Sequence, residues 1–478
     1  MSNLAEIKDN QEDWQFLPIK DFAHTTSGGT PKRGVAEYYN GDVPWVKSGD
    51  LNDSHLNKVD EYITELGLDK SSAKLFKPGT LLIALYGATI GRLSILNIEA
   101  STNQAVCGIT VPKDVDVKYL FYYLLSIRQK LIDQGKGGAQ PNINQQIVKE
   151  TVVPLAPPEQ QKRIVAKIEE LFSHIDAGIA ALKKAKQLLK QYRQSVLKTA
   201  VTGELTKEWR EANKAKLEPA SELLERILKE RREKWEEQQL EQFKAKGKMP
   251  KDDKWKGKYK EPIAYDGTPL FELPDEWCWV YMGQLGDVIG GLTKNKKREQ
   301  LKQQLPYLRV ANVYANELRL DDVTQIGVKE NELERVLLEK GDLLIVEGNG
   351  SPEQIGRLAI WDGSIEPCVH QNHLIKIRLQ EKDSGNYLMY WLSSLGGRDA
   401  ILQVASSTSG LYTLSISKVS GLPVPMPPIE EQVEIHNLVS SKLSSIEHLE
   451  AEIDIQLMKT EKNKQSILAS AFSGVLLQ

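Results

Sequence analysis

The run Asp114-Val115-Asp116-Val117-Lys118 places two carboxylates and a lysine within five residues. Carboxylates paired with a lysine are the raw material of a metal-assisted nuclease site. The same run reads better as the turn that enters the next helix. Gly348-Asn349-Gly350 lacks the third glycine of a dinucleotide fingerprint, and no Gly-x-x-x-x-Gly-Lys-Ser/Thr loop occurs, so the chain carries no standard nucleotide motor. Pro157-Pro158 and Pro427-Pro428 lack the flanking residues of an adenine methyltransferase signature, which needs Asn or Asp before the prolines and an aromatic after them. The seven histidines show neither metal-ligand nor triad spacing. Cys107, Cys278 and Cys368 are odd in number and far apart, as expected of a protein in a reducing cytosol. These absences point away from an enzyme.

Bulk properties narrow the class further. A chain of 478 residues divides into about three units. Its formal net charge of -3 argues against gripping nucleic acid by overall electrostatics and leaves room for local basic faces. Apolar runs such as Thr80–Tyr86 are too short to span a bilayer, and Met-Ser-Asn-Leu-Ala-Glu at the start has neither a basic head nor an apolar core. The expectation is a cytoplasmic protein without a membrane partner.

The elements that must position any site are duplicated. Val153–Leu205 and Val424–Leu476 align without a gap at a constant offset of 271. Upstream of each lies a more diverged similarity. Trp14-Gln15-Phe16 answers Trp277-Cys278-Trp279, and Pro44-Trp45-Val46-Lys47 answers Pro306-Tyr307-Leu308-Arg309. Lys77–Ile83 answers Glu339–Ile345, and Ile90-Gly91-Arg92 answers Ile355-Gly356-Arg357. Asn103-Gln104 answers His370-Gln371, and Tyr119–Tyr122 answers Tyr387–Tyr390. Each module is thus a globular head followed by a better-matched tail. Leu81–Tyr86, Leu343–Val346, Ala105–Val111 and His373–Leu379 read as strands, and Val117–Leu131 and Asn386–Gly396 as helices, giving mixed α/β heads. Tyr119, Tyr122 and Tyr390 read as core.

The first tail carries apolar positions at alternating steps of four and three: Ile164, Ile168, Leu171, Ile175, Gly178, Leu182, Ala185, Leu189, Tyr192 and Val196. That spacing is a coiled-coil seam. Pro157-Pro158 sets its start, and a helix over 159–199 is about 60 Å long. The second tail repeats the stripe with Ile435, Val439, Leu443, Ile446, Leu449, Ile453 and Leu457, then turns polar. Antiparallel and parallel pairings are both open on spacing alone; the antiparallel one yields an internal two-fold pseudo-symmetry. Between the modules, Leu223–Phe243 reads as a charged helix, followed by eight lysines between Lys244 and Lys260 that suit phosphate contact or a solvated linker equally.

The order head, long helix, head, long helix resembles the specificity subunit of type I restriction–modification enzymes over essentially the whole chain. The resemblance rests on Val-Pro-Leu-Ala-Pro-Pro-Glu-Gln-Gln-Lys-Arg-Ile-Val at 153–165 and Pro-Met-Pro-Pro-Ile-Glu-Glu-Gln-Val-Glu-Ile at 425–435. It rests equally on Leu-Lys-Thr-Ala-Val-Thr-Gly-Glu-Leu at 197–205 and Leu-Ala-Ser-Ala-Phe-Ser-Gly-Val-Leu at 468–476. It implies two α/β target-recognition domains, 1–152 and 271–423, two helical spacers, 153–205 and 424–478, paired as an antiparallel coiled coil, and a charged linker at 206–270. It implies a catalytically inert reader of an asymmetric bipartite sequence in double-stranded DNA. Two modification subunits carrying S-adenosylmethionine and two restriction subunits using ATP and Mg2+ would dock on it, with no cofactor or metal on this chain. The alternatives are a stand-alone methyltransferase or endonuclease, which needs a cofactor motif that is missing, and a coiled-coil scaffold without DNA, which leaves two differing heads unexplained.

Groove reading favours Arg, Lys, Asn and Gln on a preorganised surface. In the first head the candidates are Thr30, Lys32, Arg33, Lys47, Ser48, Arg92, Asn103, Gln104 and Lys136. In the second they are Lys294, Lys296, Arg309, Asn312, Asn349, Arg357, Gln371 and Asn372. Repetition of Lys47, Arg92, Arg309 and Arg357 at matched sites favours a shared role on the DNA backbone, since base readers should differ between heads.

Overall fold

A computed structural model of the chain describes residues 12–135, 142–408 and 410–477. The candidate Lys136 and the N-terminal hexapeptide lie outside the described residues. The chain forms two compact units, Met1–Ala185 with Glu452–Gln478, and Lys186–Ala451.

In the first unit a five-stranded sheet runs His24–Ser27, Val106–Thr110, Leu81–Ala84, Leu93–Leu96 and Ser54–Leu56. Its centre is the fully buried Leu81-Leu82-Ile83-Ala84. Side chains alternate across a strand, so Leu81 and Ile83 enter one core with Tyr119, Leu120 and Leu124, while Leu82 and Ala84 enter another with Val46, Leu51 and Phe76. Gly79, at φ 86°, makes the turn that admits this strand. A four-stranded sheet orders Tyr62–Ile63, Tyr39–Val46, Ala100–Thr102 and Leu75–Phe76. Its middle pair is parallel.

The second unit repeats the plan. Leu343–Val346 divides its side chains between two cores in the same way, entered through Gly341 at φ 96°. It lies in the sheet Gly286–Gly290, Leu374–Leu379, Leu343–Val346 and Leu358–Ile360. A second sheet orders Thr324–Gly327, Gln304–Leu308 and Val369–His370, the last pair again parallel. Each expected single helix is two: Val117–Ser126 then Arg128–Gln134, and Ser384–Ser393 then Leu395–Val404. At the second break the Ser394 hydroxyl accepts from Gly397 N at 3.2 Å and restarts the helix.

The tails are helices Pro158–Val201 and Ile429–Phe472, 44 residues each. Their shared opening phrase is a starting device. Gln161 Nε2 donates to the Ala156 carbonyl at 2.8 Å, and Gln432 Nε2 to that of Pro427 at 2.8 Å. Trp14 Nε1 donates to Gln160 at 3.1 Å, and Trp277 Nε1 to Glu431 at 2.9 Å. The shared closing phrase is a stop: Gly203 and Gly474 take φ 78° and 81°. In the first unit Ile164, Val165 and Ile168 share a core with Leu468 and Ala471. In the second, Val196, Leu197 and Ala200 share one with Ile435 and Val439. In both units the start of one helix meets the end of the other, which is the antiparallel sense. Leu171, Ile175, Leu182 and Leu189 are half-buried, as is Ile453, and Ile446 is buried. Tyr192 departs from the expected seam: it is 47% exposed, and Arg193 turns inward instead, 3.6 Å from Glu447 and 3.4 Å from Glu450.

Candidate nucleic-acid interface

Parallel strands end on the same side, and both heads use this to gather loops. In the first head Trp45 pairs with Ser101 and Val46 with Thr102, so Lys47-Ser48 and Asn103-Gln104 emerge together. Asn103 N donates to Val46 O at 2.9 Å. A third loop arrives through Gly29 N to Thr102 O at 2.9 Å, and a Cβ on Gly28 would collide with that same carbonyl. The Thr30 hydroxyl donates to Gln104 Oε1. The turn bearing Arg92 is tied to this site by Leu85 N to Ala105 O and Ala84 N to Arg92 O, both 2.8 Å.

The second head builds the same cradle. Leu308 pairs with His370, Gln371 N donates to Leu308 O at 2.9 Å, and Leu292 N to His370 O at 2.8 Å. Gly291 stands where a Cβ would strike the His370 carbonyl. Val346 N donates to Arg357 O at 2.9 Å, as Ala84 does to Arg92. These bonds correct the sequence register: Asn103 corresponds to Gln371, Gln104 to Asn372, and Thr102 to His370. What is retained is the backbone bond to the neighbouring strand, not the side-chain type. Thr102 and His370 are both fully buried, and Thr102 Oγ1 and His370 Nε2 both lack a hydrogen-bond partner.

Side chains separate the candidates. Lys32, Arg33, Arg92, Lys294 and Lys296 are exposed and form no ion pair among the described residues. Lys297, within the basic run Lys294–Arg298, stands with Lys296 on the turn that Asn295 caps, the Asn295 Oδ1 accepting from Lys297 N at 3.1 Å. Ser48 lies half-buried beside Lys47. Lys47 holds Glu61 at 2.6 Å, a hydrogen bond that raises its pKa above the usual lysine value. Arg309 holds Asp322 at 2.8 Å. Asn349 Oδ1 accepts from Ser351 N at 3.0 Å, Asn103 Oδ1 from Ala105 N at 3.1 Å, and Gln371 Oε1 from Val310 N at 3.2 Å. Asn372 lies 3.4 Å from His373.

Two expectations change. Asn312 is 2% exposed and spends its amide on the carbonyls of Arg319 at 2.8 Å and Asp322 at 3.0 Å, so it ties a loop and offers no edge to a base. Arg357 donates to Val310 O at 2.9 Å and lies over the Tyr314 ring at 4.7 Å, whereas its counterpart Arg92 is exposed. Matched position therefore does not mean matched duty.

Burial pushes the thiols of Cys107 and Cys368 up to about 12 and that of Cys278 to about 11. Asp116 accepts from Lys118 N at 2.8 Å and so caps the helix from Val117, while Lys118 Nζ pairs with Glu169 at 2.7 Å. Among the described residues no cluster of His, Cys, Asp and Glu is suited to a metal ion.

Residues 11–188 and 274–458 each match the type I restriction modification DNA specificity domain. The chain belongs to that family. The EcoKI specificity subunit of Escherichia coli K12 is 24% identical over 480 residues, spanning 97% of this chain and 89% of that one. The HsdS subunit from Thermoanaerobacter tengcongensis superposes with a TM-score of 0.55 at 16% identity, covering 97% of both chains. A chain from a study of complex assembly and conformational transition of the type I R-M system superposes with a TM-score of 0.65 at 16% identity, covering 97% of this chain and 98% of that one. The specificity domain is thus present twice, and each copy carries one cradle.

Proposed function

We propose that this chain is the DNA-reading subunit of a type I restriction–modification complex and is itself non-catalytic. The observation that carries the reading is one backbone cradle built twice with different side chains on its rim. Thr30, Lys32, Arg33 and Gln104 rim the first, and Lys294, Lys296, Gln371 and Asn372 the second. Equal scaffolds with unequal rims suit two unlike half-sites. Arg92 is the backbone contact of the first cradle. Lys47 and Arg309 trade their single carboxylates for phosphate when duplex binds. The long helices, pairing antiparallel as a coiled coil, set the unread gap between half-sites and carry two modification and two restriction subunits. S-adenosylmethionine, ATP and Mg2+ belong to those partners. The division follows the repeat: recognition domains at 1–152 and 271–423, helical spacers at 153–205 and 424–478, and a charged connection at 206–270. The reading places the chain in the cytoplasm; no described helix is long and apolar enough to cross a membrane.

Genome-wide mapping of methylated adenines with and without this chain tests the reading. The expected result is one bipartite motif with unlike halves that vanishes on deletion. A motif that persists, or one with no unread gap, would refute it.

A further inference from the structure

The connection between the modules is far longer than the distance it must cover. Gly203 ends the first long helix, and a Cβ placed on it would touch the Pro274 ring. Ala220 N donates to Glu276 O at 2.9 Å, directly before Trp277 enters the second head. Residues 221–275 therefore leave one point and return to it. They form an arm.

The arm is ordered. Its helix, Ala220–Ala245, buries Ala220, Leu223 and Ile227 in the head's core. Arg231 fastens it to the carbonyls of Gly283 at 2.6 Å and Gln284 at 3.0 Å and to Asp287 at 2.6 Å. Gly247, at φ 63°, turns the chain back. The returning segment is clasped by Trp255 stacked on Trp235 at 6.1 Å, Tyr259 against Trp235 at 5.3 Å, and Lys256 paired with Glu236 at 3.1 Å. A solvated, self-repelling linker, one of the two sequence expectations, does not describe it.

Charge divides the arm. Its helical shaft neutralises itself, with Arg226 at 3.8 Å from Glu230 and Arg232 at 3.3 Å from Glu236. The tip does not: residues 244–260 hold eight lysines against two aspartates in a chain of net charge -3. Lys244, Lys246, Lys248, Lys251 and Lys258 are exposed and form no ion pair among the described residues. We propose that this arm is a sequence-independent grip on duplex DNA, its lysines seated on phosphates. Flexible point charges without amide or guanidinium forks suit a backbone rather than base edges. The proposal rests on the reading of the chain as a DNA-binding subunit.

The test uses the full-length chain with its co-purifying subunits and two duplexes, the mapped target and a scrambled one. The variant combines Lys244→Gln, Lys246→Gln, Lys248→Gln, Lys251→Gln and Lys258→Gln; a Lys→Arg set at the same positions keeps the charge. The Gln set should weaken both duplexes by the same factor and lower the slope of log K against log salt by about 0.9 per seated lysine. Loss of two such contacts shrinks the change in affinity between about 50 and 200 mM salt roughly tenfold. The Arg set should behave as wild type. Unchanged affinity and slope in the Gln set would overturn the arm alone. So would loss of a co-purifying subunit with DNA binding intact, which would assign the tip to an acidic protein surface. Failure of the wild-type complex to bind either duplex would sink the DNA-binding reading itself.

Discussion

The sharpest test of the second head's architecture is Glu431→Gln. Glu431 is fully buried and accepts from Arg210 Nε at 3.0 and 3.1 Å, from the Thr206 hydroxyl at 2.5 Å and from Trp277 Nε1 at 2.9 Å. Arg210 is itself 7% exposed and lies over the Trp277 ring. Glutamine keeps one acceptor oxygen, which at the Oε2 position still takes the Trp277 Nε1–H while its amide donates to the Thr206 hydroxyl, so the loss falls on Arg210, left as a buried cation without a counter-charge. Breaking a buried pair by removing one partner costs about 3–5 kcal/mol. For a unit of this size that lowers the melting temperature by roughly 5–10 °C. The first head supplies the control, because its Trp14 bonds to Gln160 at the matched position. Arg210→Leu with Glu431→Gln recreates that neutral arrangement and should recover about 2 kcal/mol of the loss. Thermal unfolding followed by tryptophan fluorescence, fitted to separate transitions because a two-unit chain need not melt in one step, reads both. A loss under about 1 kcal/mol for the single variant, or a double variant no better than the single, would refute the assignment of the cost to an orphaned charge.

Arg92→Ala should weaken binding to matched and scrambled duplex alike without changing the melting temperature, whereas Arg357→Ala, which frees Val310 O and uncovers Tyr314, should lower the melting temperature; paired binding and melting curves decide. Burial holds His370 at about 4, so the folded chain stays unprotonated while the unfolded chain takes up a proton below its ordinary value. Stability should therefore fall as pH drops from about 6.5 toward 4, by roughly 3 kcal/mol in all, and His370→Thr, the first head's solution, should flatten that part of the urea-midpoint profile. Gly291→Ala should displace the Leu292–Lys294 loop from the His370 carbonyl and lower affinity for the target, with discrimination read by competition against scrambled duplex.

Much of the fold was legible because the tails repeat without a gap and the central strands announce themselves as Gly-turn-led apolar runs. The helix breaks at Ile127 and Ser394 were not, because the apolar periodicity continues across them into the same cores. At the interface, residue type misled. Matching Gln104 to Gln371 by identity shifted the register by one, since the fold preserves a backbone bond there rather than an amide. Asn312 has the chemistry of a base reader, but two loop carbonyls consume it. Arg357 looks like Arg92 until Tyr314 is placed beneath it, a contact between residues with no fixed spacing in sequence. The arm did leave a signal: Trp235, Trp255 and Tyr259 interleaved with lysine are out of place in a solvated linker.

The contrast between ungapped tails and drifting heads has a mechanical cause. Each long helix serves a core at both ends: the first gives Ile164 and Ile168 to one unit and Leu197, Ala200 and Val201 to the other, and the second gives Ile435 and Val439, then Leu468 and Ala471. One inserted residue rotates everything beyond it by about 100°. That would turn Leu197 and Ala200 out of their core while leaving Ile164 in place, so a one-residue insertion cannot be absorbed within the helix. A segment such as Glu347–Gln354 tolerates a change of length beyond its paired Gly348-Asn349, because its ends stay fixed by Glu347 N to His373 O and Gly356 N to Val346 O. The parts of the chain that vary are thereby those that rim the cradles, and the parts that cannot vary are those that close both heads.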